Sequence, residues 1–299
     1  MKTTKILVLL IFFCSSCGTN LDKGVIKNKP KFKSETTQIY EAIKEGDSIK
    51  PGYKIKSSGL DQNEKKLYFY DKKNRLIKLI KDSIEIYTYQ YNDFDSIKKV
   101  NFKSGDFESQ SYLNYNDKNF LIQRVDSVKG KKMLVIKKKY DNDHQVLRVT
   151  TIYPETPSTE IIEKTYNSDK KLSEVKTERV GYSITKNIYQ YPNDKTVIIK
   201  SDYINDSNYT EIKRIYDKNN ILIKERITPI GSERFMIVEQ KRDKLGNLKS
   251  HVQINEVGDT IRLWKYQYLY DSNNNWIQKI NYLDDKPLSF IKREIKYKH

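Results

Sequence analysis

Apolar and polar positions alternate along this chain in short segments that are separated by polar turns. From Trp264 to Tyr270 every second residue is aromatic, and the polar run Asp271 to Asn275 follows directly. Alternation with a period of two is typical of a β-strand that buries one face. The segment therefore predicts a β-hairpin. Its aromatic face comprises Trp264, Tyr266, Tyr268 and Tyr270. We expect the return strand to alternate through Trp276, Gln278, Ile280 and Tyr282.

The same pattern recurs nine times, each time with an anchor residue, a polar turn and an apolar residue six positions on. The anchors are Tyr70, Tyr91, Tyr115, Tyr140, Tyr166, Tyr191, Tyr216, Arg242 and Tyr270. The apolar residues at plus six are Leu76, Ile97, Leu121, Val146, Leu172, Val197, Leu222, Leu248 and Trp276. Neighbouring anchors lie 21 to 28 residues apart, and Tyr297 lies 27 residues after Tyr270. Such periods indicate a repeat architecture.

The position four residues after each anchor favours a left-handed turn. It holds Asn74, Asp95, Asn119, His144, Lys170, Lys195, Asn220, Gly246 and Asn274. Seven of these nine residues belong to the types that best tolerate a positive φ. We therefore interpret His144 as a turn residue rather than a catalytic one.

The predicted fold is all-β: an elongated, twisted and curled antiparallel meander of about nine β-hairpin repeats of roughly 25 residues. The repeat domain spans 66–299, and its concave side is the expected binding surface. Residues 31–65 are interpreted as an N-terminal cap that covers the open edge of the first hairpin. Within them, Glu35 to Ile43 fits either a strand or a short helix.

The N-terminus predicts export. Lys2 and Lys5 precede an apolar run that ends in Cys14-Ser-Ser-Cys17. This run is too short to span a bilayer and has the layout of a secretory signal. It resembles a bacterial lipoprotein signal, which implies a signal peptide over 1–16, a lipid on Cys17 and a flexible tether over 17–30. An ordinary secreted protein with a cysteine-containing signal end is the alternative.

The composition favours a thin, ordered structure with much solvent-exposed surface. The chain is 37% apolar with a mean hydropathy of −0.78, yet it contains 23 tyrosines. The net charge of +17 should attract polyanions, such as an acidic glycan or lipopolysaccharide phosphates. We predict no specific nucleic-acid partner. Solubility alone is the alternative explanation of the lysines, because lysines also protect sheet edges from aggregation.

Catalytic motifs are missing from the sequence. None of His144, His251 and His299 lies in a metal-spaced pair, and no nucleophile elbow or P-loop is present. The acidic pairs Asp284-Asp285 and Asp141-Asn-Asp143 lie in predicted turns, and the latter lacks the glycine and distal glutamate of a calcium loop. We therefore expect no enzyme and no cofactor.

Five Asp-Ser/Thr-aliphatic triplets could be modified. They resemble the O-glycosylation sequon of exported Bacteroidetes proteins, although a turn residue before a strand explains them equally. Their hydroxyl residues are Ser48, Ser83, Ser96, Ser127 and Thr260.

Two turns carry a family resemblance. Tyr216-Asp-Lys-Asn-Asn-Ile-Leu222 and Arg242-Asp-Lys-Leu-Gly-Asn-Leu248 resemble YD repeats of the Rhs type, in a degenerate form. With the signal and tether, the array is similar to repeat lipoproteins of the Bacteroidetes. The resemblance implies lipid anchoring to the outer membrane. We expect a non-enzymatic scaffold that binds an acidic or carbohydrate ligand or an envelope protein. An immunity lipoprotein that neutralises a toxin effector is the alternative, and a hydrolase that uses carboxylates is a third possibility.

Overall fold

The computed structural model describes residues 31–298 except 59–60, 157, 181–182, 204–205 and 230. The predicted signal peptide, Cys17, the tether and His299 lie outside these residues. In the described part of the chain, no helix is long and apolar enough to cross a membrane.

The described residues form β-strands joined by short turns. The strands are β1 (Phe32–Glu45), β2 (Ser48–Ile55), β3 (Ser57–Ser58), β4 (Asp61–Gln62), β5 (Glu64–Tyr70), β6 (Leu76–Lys81), β7 (Glu85–Tyr91), β8 (Ile97–Ser104), β9 (Phe107–Tyr115), β10 (Leu121–Val128), β11 (Lys131–Tyr140), β12 (Val146–Tyr153), β13 (Ser158–Tyr166), β14 (Leu172–Arg179), β15 (Ser183–Asn193), β16 (Thr196–Tyr203), β17 (Asp206–Tyr216), β18 (Leu222–Pro229), β19 (Met236–Arg242), β20 (Leu248–Ile254), β21 (Thr260–Tyr270), β22 (Trp276–Leu283) and β23 (Lys286–Tyr297). The all-β prediction is confirmed, and the strand alternative holds for Glu35 to Ile43.

The predicted antiparallel succession of β-hairpins is confirmed, but the sheet closes on itself and does not form an elongated meander. From β5 to β23 each strand pairs antiparallel with the next one along the chain. One edge of β1 pairs with β23 from Phe32 to Glu41, and the other edge pairs with β5 from Ser34 to Thr37. The result is a closed antiparallel barrel of 20 strands, β1 and β5–β23. Closure satisfies the backbone groups of the first and last strands, which an open meander would leave exposed.

The segment between β1 and β5 is attached to the barrel at this seam. β2 pairs with β1 from Ile39 to Glu45, beyond the end of the β1–β5 ladder. The short β3–β4 hairpin follows, and its Asp61 carboxylate lies 2.9 Å from Lys279 Nζ. Asn281 Nδ2 also donates to Asp61, at 3.0 Å. Around this point lie the most completely buried side chains, Ile39, Ile291 and Ser289.

The anchors share one face of the sheet, which we call the anchor face. Strand registers place Tyr68, Leu79, Tyr87 and Phe102 in one row of this face. Along β9 and β21 the anchor face is the less exposed one, and it also carries the buried Ile136, Ile199 and Val238. The anchor face therefore points into the barrel, and the opposite face, which we call the outward face, points away from it.

A β-bulge after each typical turn changes the phase of the return strand. Tyr270 pairs with Trp276, whereas Leu269 pairs with Gln278. The extra residue moves Lys279 and Asn281 to the anchor face and Gln278 and Ile280 to the outward face. The predicted alternation therefore holds from Gln278 through Ile280 to Tyr282, but Trp276 lies on the opposite face because an inserted residue breaks the period of two.

The turns explain why asparagine, aspartate and glycine recur in them. At the plus-four position φ lies between 58° and 87° in eight of the nine repeats, Lys170 included (φ 61°). Lys195 is the exception, in the repeat where Pro192 follows the anchor. In the other repeats an Asn or Asp follows the anchor and its Oδ1 accepts backbone N–H groups across the turn, as Asn116 does from Lys118 and Phe120. These bonds stabilise a type I turn that ends in a left-handed residue.

Candidate functional site

The anchor hydroxyls join neighbouring hairpins. In five successive repeats the tyrosine donates to the carbonyl oxygen of the plus-six residue of the preceding repeat. These pairs are Tyr91 to Leu76, Tyr115 to Ile97, Tyr140 to Leu121, Tyr166 to Val146 and Tyr191 to Leu172, at 2.7–3.0 Å. The acceptor carbonyls lie at the bulges, where the ladder is interrupted, so each tyrosine satisfies a half-buried backbone group. The anchors are thus structural.

The last repeats vary this contact because their strands are longer. Ser250, two residues after Leu248, pairs with Lys265, which lies five residues before Tyr270. In an earlier repeat the equivalent residue, Lys99, pairs with Tyr112, which lies only three residues before its anchor. Tyr268 therefore donates to the Leu248 carbonyl, and Tyr270 reaches the carboxylate of Asp243. Burial raises the pKa of the Asp243 carboxyl, but hydrogen bonds from Tyr270 and from backbone N–H groups outweigh it, so the net pKa is lowered. Tyr297 donates to Asp271 in the same way.

Arg242, the anchor that is not a tyrosine, caps its own turn. Its Nη1 donates to the Gly246 carbonyl at 2.9 Å, within the same repeat. Its Nη2 also donates to Gln240 Oε1, at 3.4 Å, so these contacts within the repeat take the place of the contact between repeats that a tyrosine would make.

The charges that point into the barrel are mostly paired. The pairs include Glu35 with Arg293 (3.0 Å), Arg124 with Asp126 (2.7 Å), Arg214 with Glu225 (2.6 Å), Glu160 with Arg179 (3.4 Å) and Asp61 with Lys279 (2.9 Å). The Asp126 side chain is only 3% exposed. Charge pairing of this kind compensates the cost of removing ions from water. The inward face therefore offers little net charge to a ligand.

The outward face of β12–β19 is more nearly balanced, because most of its basic side chains pair with glutamates. The pairs are Arg148–Glu163, Lys176–Glu178, Lys186–Glu174, Lys200–Glu211 and Lys224–Glu239, at 2.9–3.9 Å. Lys213, Arg226 and Lys241 also point outward there and lie outside these pairs.

The outward face of β6–β11 differs, and we call it the basic face. The registers place six lysines on it: Lys78, Lys99, Lys103, Lys132, Lys137 and Lys139. Among the described residues of this face Glu108 is the one carboxylate, and it is paired with Lys103 at 2.7 Å. This face therefore carries an excess of positive charge. Sequence analysis missed this asymmetry because the bulges determine which lysines share a face.

The proposed glycosylation residues lie mostly at one rim of the barrel. Ser48, Ser83 and Thr260 are in or beside turns at the rim opposite the anchors, and all three are exposed. Ser127 lies near the same rim in β10 and is half-buried. Ser96 belongs to an anchor-side turn, where its hydroxyl accepts from Asn119 Nδ2 at 2.8 Å.

Among the described candidates, His144, His251 and Asp284 make structural contacts. His144 has φ 66° in its turn and stacks on Phe120 at 4.5 Å between ring centroids. His251 packs on Trp264 at 4.9 Å, and burial lowers the pKa of its imidazole. Asp284 accepts the Leu263 N–H at 2.9 Å. No group of three or more potential metal ligands occurs within the described residues.

Comparisons with known proteins give only distant likenesses. No protein-family model matches the chain, and no curated protein matches it in sequence. The Tc holotoxin pore of Photorhabdus luminescens is similar over 73% of this chain and 13% of the toxin chain, with a TM-score of 0.46 and 10% identity. The TcdB2–TccC3–Cdc42 complex is similar over 87% of this chain and 16% of that chain, with a TM-score of 0.44 and 9% identity.

A porin-like protein from Bacteroides uniformis is also similar, over 90% of this chain and 98% of its own length, with a TM-score of 0.37 and 11% identity. At this level of similarity no activity, ligand or partner passes from these proteins to this chain. This chain spans less than a fifth of the toxin chains that it resembles.

Proposed function

We propose that this protein is a non-enzymatic lipoprotein of the cell envelope that binds an acidic ligand on the outside of its barrel. A lipid on Cys17 would anchor it in the outer membrane, and residues 18–30 would act as the tether. The first described residue, Lys31, contacts the Asn74 carbonyl at the anchor-side rim. A tether that ends at residue 30 would therefore join the barrel at that rim.

The observation that carries the proposal is the unequal distribution of charge. Ion pairs compensate most charges of the inward face and of the outward face of β12–β19, whereas five of the six lysines of the basic face have no carboxylate on that face of the described chain to pair with. A surface with one sign of charge raises the local concentration of oppositely charged ligands, and salt screens this attraction. The lysines also indicate that the basic face lies in water and not in lipid, because moving a charged side chain into lipid has a high free-energy cost.

Binding to polymers of known charge tests the proposal. The full chain should bind immobilised polygalacturonate and polyphosphate at low salt, and an excess of salt should weaken both interactions. Dextran, a neutral polysaccharide, is the control and should bind weakly at either salt concentration. A protein that binds neither acidic polymer at low salt would refute the proposed function.

A further inference from the structure

We propose that the basic face is the binding site for a strand of acidic polysaccharide and that Tyr112 provides the surface on which a sugar ring stacks. This inference rests on the proposed function and adds the place and the chemical class of the ligand. The registers bring together an exposed aromatic ring, rows of amides and lysines without carboxylate partners.

Tyr112 differs from the anchor tyrosines because it lies on the outward face. Its side chain is 42% exposed at the centre of β9, and its hydroxyl donates to Gln110 Oε1 at 2.9 Å. Lys99 Nζ lies 4.8 Å from the centroid of the ring. A sugar that packs its C–H face on the ring would thus bring its carboxylate within reach of an ammonium group.

Amide side chains flank this ring on both sides. Asn114, Gln123 and Lys137 form one row across β9, β10 and β11. Asn114 Nδ2 donates to Gln123 Oε1 at 3.0 Å, which leaves the Asn114 carbonyl and the Gln123 amino group facing water. Asn101 and Gln110 extend the amides on the other side of the ring. Amides both donate and accept hydrogen bonds, as recognition of sugar hydroxyls requires.

The lysines supply the preference for an acidic polymer. Lys137 and Lys139 are exposed, and neither lies within ion-pair distance of a carboxylate in the described part of the chain. Neighbouring strands are about 4.8 Å apart, so the face from β8 to β11 spans about 14 Å. This surface is flat rather than enclosed, which suits an extended polymer better than a single sugar. A phosphate polymer would use the lysines and the amide N–H groups but has no C–H face that could stack on Tyr112.

Two triple variants with equal loss of charge test the location. Lys99→Gln/Lys137→Gln/Lys139→Gln removes three charges from the basic face. Lys186→Gln/Lys200→Gln/Lys224→Gln removes three from the balanced face and is the matched control. In the full chain we expect the first variant to bind polygalacturonate about tenfold more weakly and the control to change it by less than about twofold.

Tyr112→Ala tests the chemical class of the ligand. It should weaken polygalacturonate binding about fivefold and leave polyphosphate binding unchanged, and Tyr112→Phe should restore the binding of polygalacturonate. Melting temperatures equal to that of the wild type establish that the variants fold.

Each other result overturns a distinct part of the inference. Equal losses in the two triple variants would overturn the site but leave the proposed function intact. Equal effects of Tyr112→Ala on both polymers, or no effect on either, would overturn sugar stacking. A wild-type protein that binds neither polymer would refute the proposed function itself.

Discussion

Removing a single hydroxyl tests whether the anchor tyrosines hold neighbouring hairpins together. Tyr115 donates to the Ile97 carbonyl at 2.7 Å, and the bond is half-buried. Tyr115→Phe keeps the ring and its packing but leaves this carbonyl without its donor. The loss of such a bond with one partner left unsatisfied costs about 1–2 kcal/mol. For a domain of this size, 1 kcal/mol corresponds to a fall in Tm of about 2–4 °C.

Urea unfolding measures this loss. The midpoint should fall while the slope m stays constant, because the surface exposed on unfolding is unchanged. Tyr112→Phe is the control, since the Tyr112 hydroxyl makes an exposed bond to Gln110. Its free energy of unfolding should stay within about 0.5 kcal/mol of that of the wild type. Combining Tyr91→Phe with Tyr166→Phe, in distant strands, should give the sum of the two single effects. A Tyr115→Phe variant as stable as the control would show that the hydroxyl contact does not stabilise the barrel.

Four further predictions concern the turns, the buried charges, the phenols and the lipid. Lys170→Gly should stabilise the protein by about 0.5–1 kcal/mol in chemical unfolding because φ is 61° there, whereas Lys195→Gly, where φ is not positive, should not; equal effects would contradict the turn assignment. Asp126→Asn should destabilise by about 3 kcal/mol because it removes the charge of the buried carboxylate that pairs with Arg124, and an unchanged urea midpoint would show that this pair is dispensable. Burial and the bond to Asp243 raise the pKa of Tyr270 to about 12, so its contribution to stability is complete below about pH 10 and is lost as the pH rises towards 12. Over this pH range the urea midpoint should therefore fall less steeply in Tyr270→Phe than in the wild type. An identical dependence of the midpoint on pH in the two proteins would exclude Tyr270 as a cause. Cys17→Ala should abolish incorporation of a labelled fatty acid into the protein made in its own host, and labelling that persists would refute lipidation at this residue.

Local order was predictable from the sequence, because it depends on residues that are near each other in the chain. The strands, the anchors at their ends and the left-handed turn position all follow from alternation and from turn chemistry. The role of the Asn or Asp directly after each anchor was missed, although its recurrence was a usable signal. Such residues at the start of a turn commonly accept backbone N–H groups.

Long-range order was not predictable, and neither was the assignment of faces. Closure requires β1 to pair with both β5 and β23, and no periodicity encodes a pairing between opposite ends of a repeat array. The face assignment failed for a local reason, since one inserted residue per bulge reverses which side chains point outward. Lys279 thereby joined the inward ion pairs, and the lysine-rich outward surface could not be recognised before the registers were known.

The ladder between Phe32 and Tyr297 also sets the order in which the molecule can be completed during synthesis. Hairpins can form locally as they emerge, but β1 is made long before β23, so the edge of β1 that pairs with β23 must wait for that partner. Contacts with so large a sequence separation form slowly. A product that stops before β23 would leave β1 and β22 with unpaired edges, which invite association with other chains. Loss of β23 should therefore make the protein prone to aggregation instead of trimming one hairpin from an otherwise intact sheet.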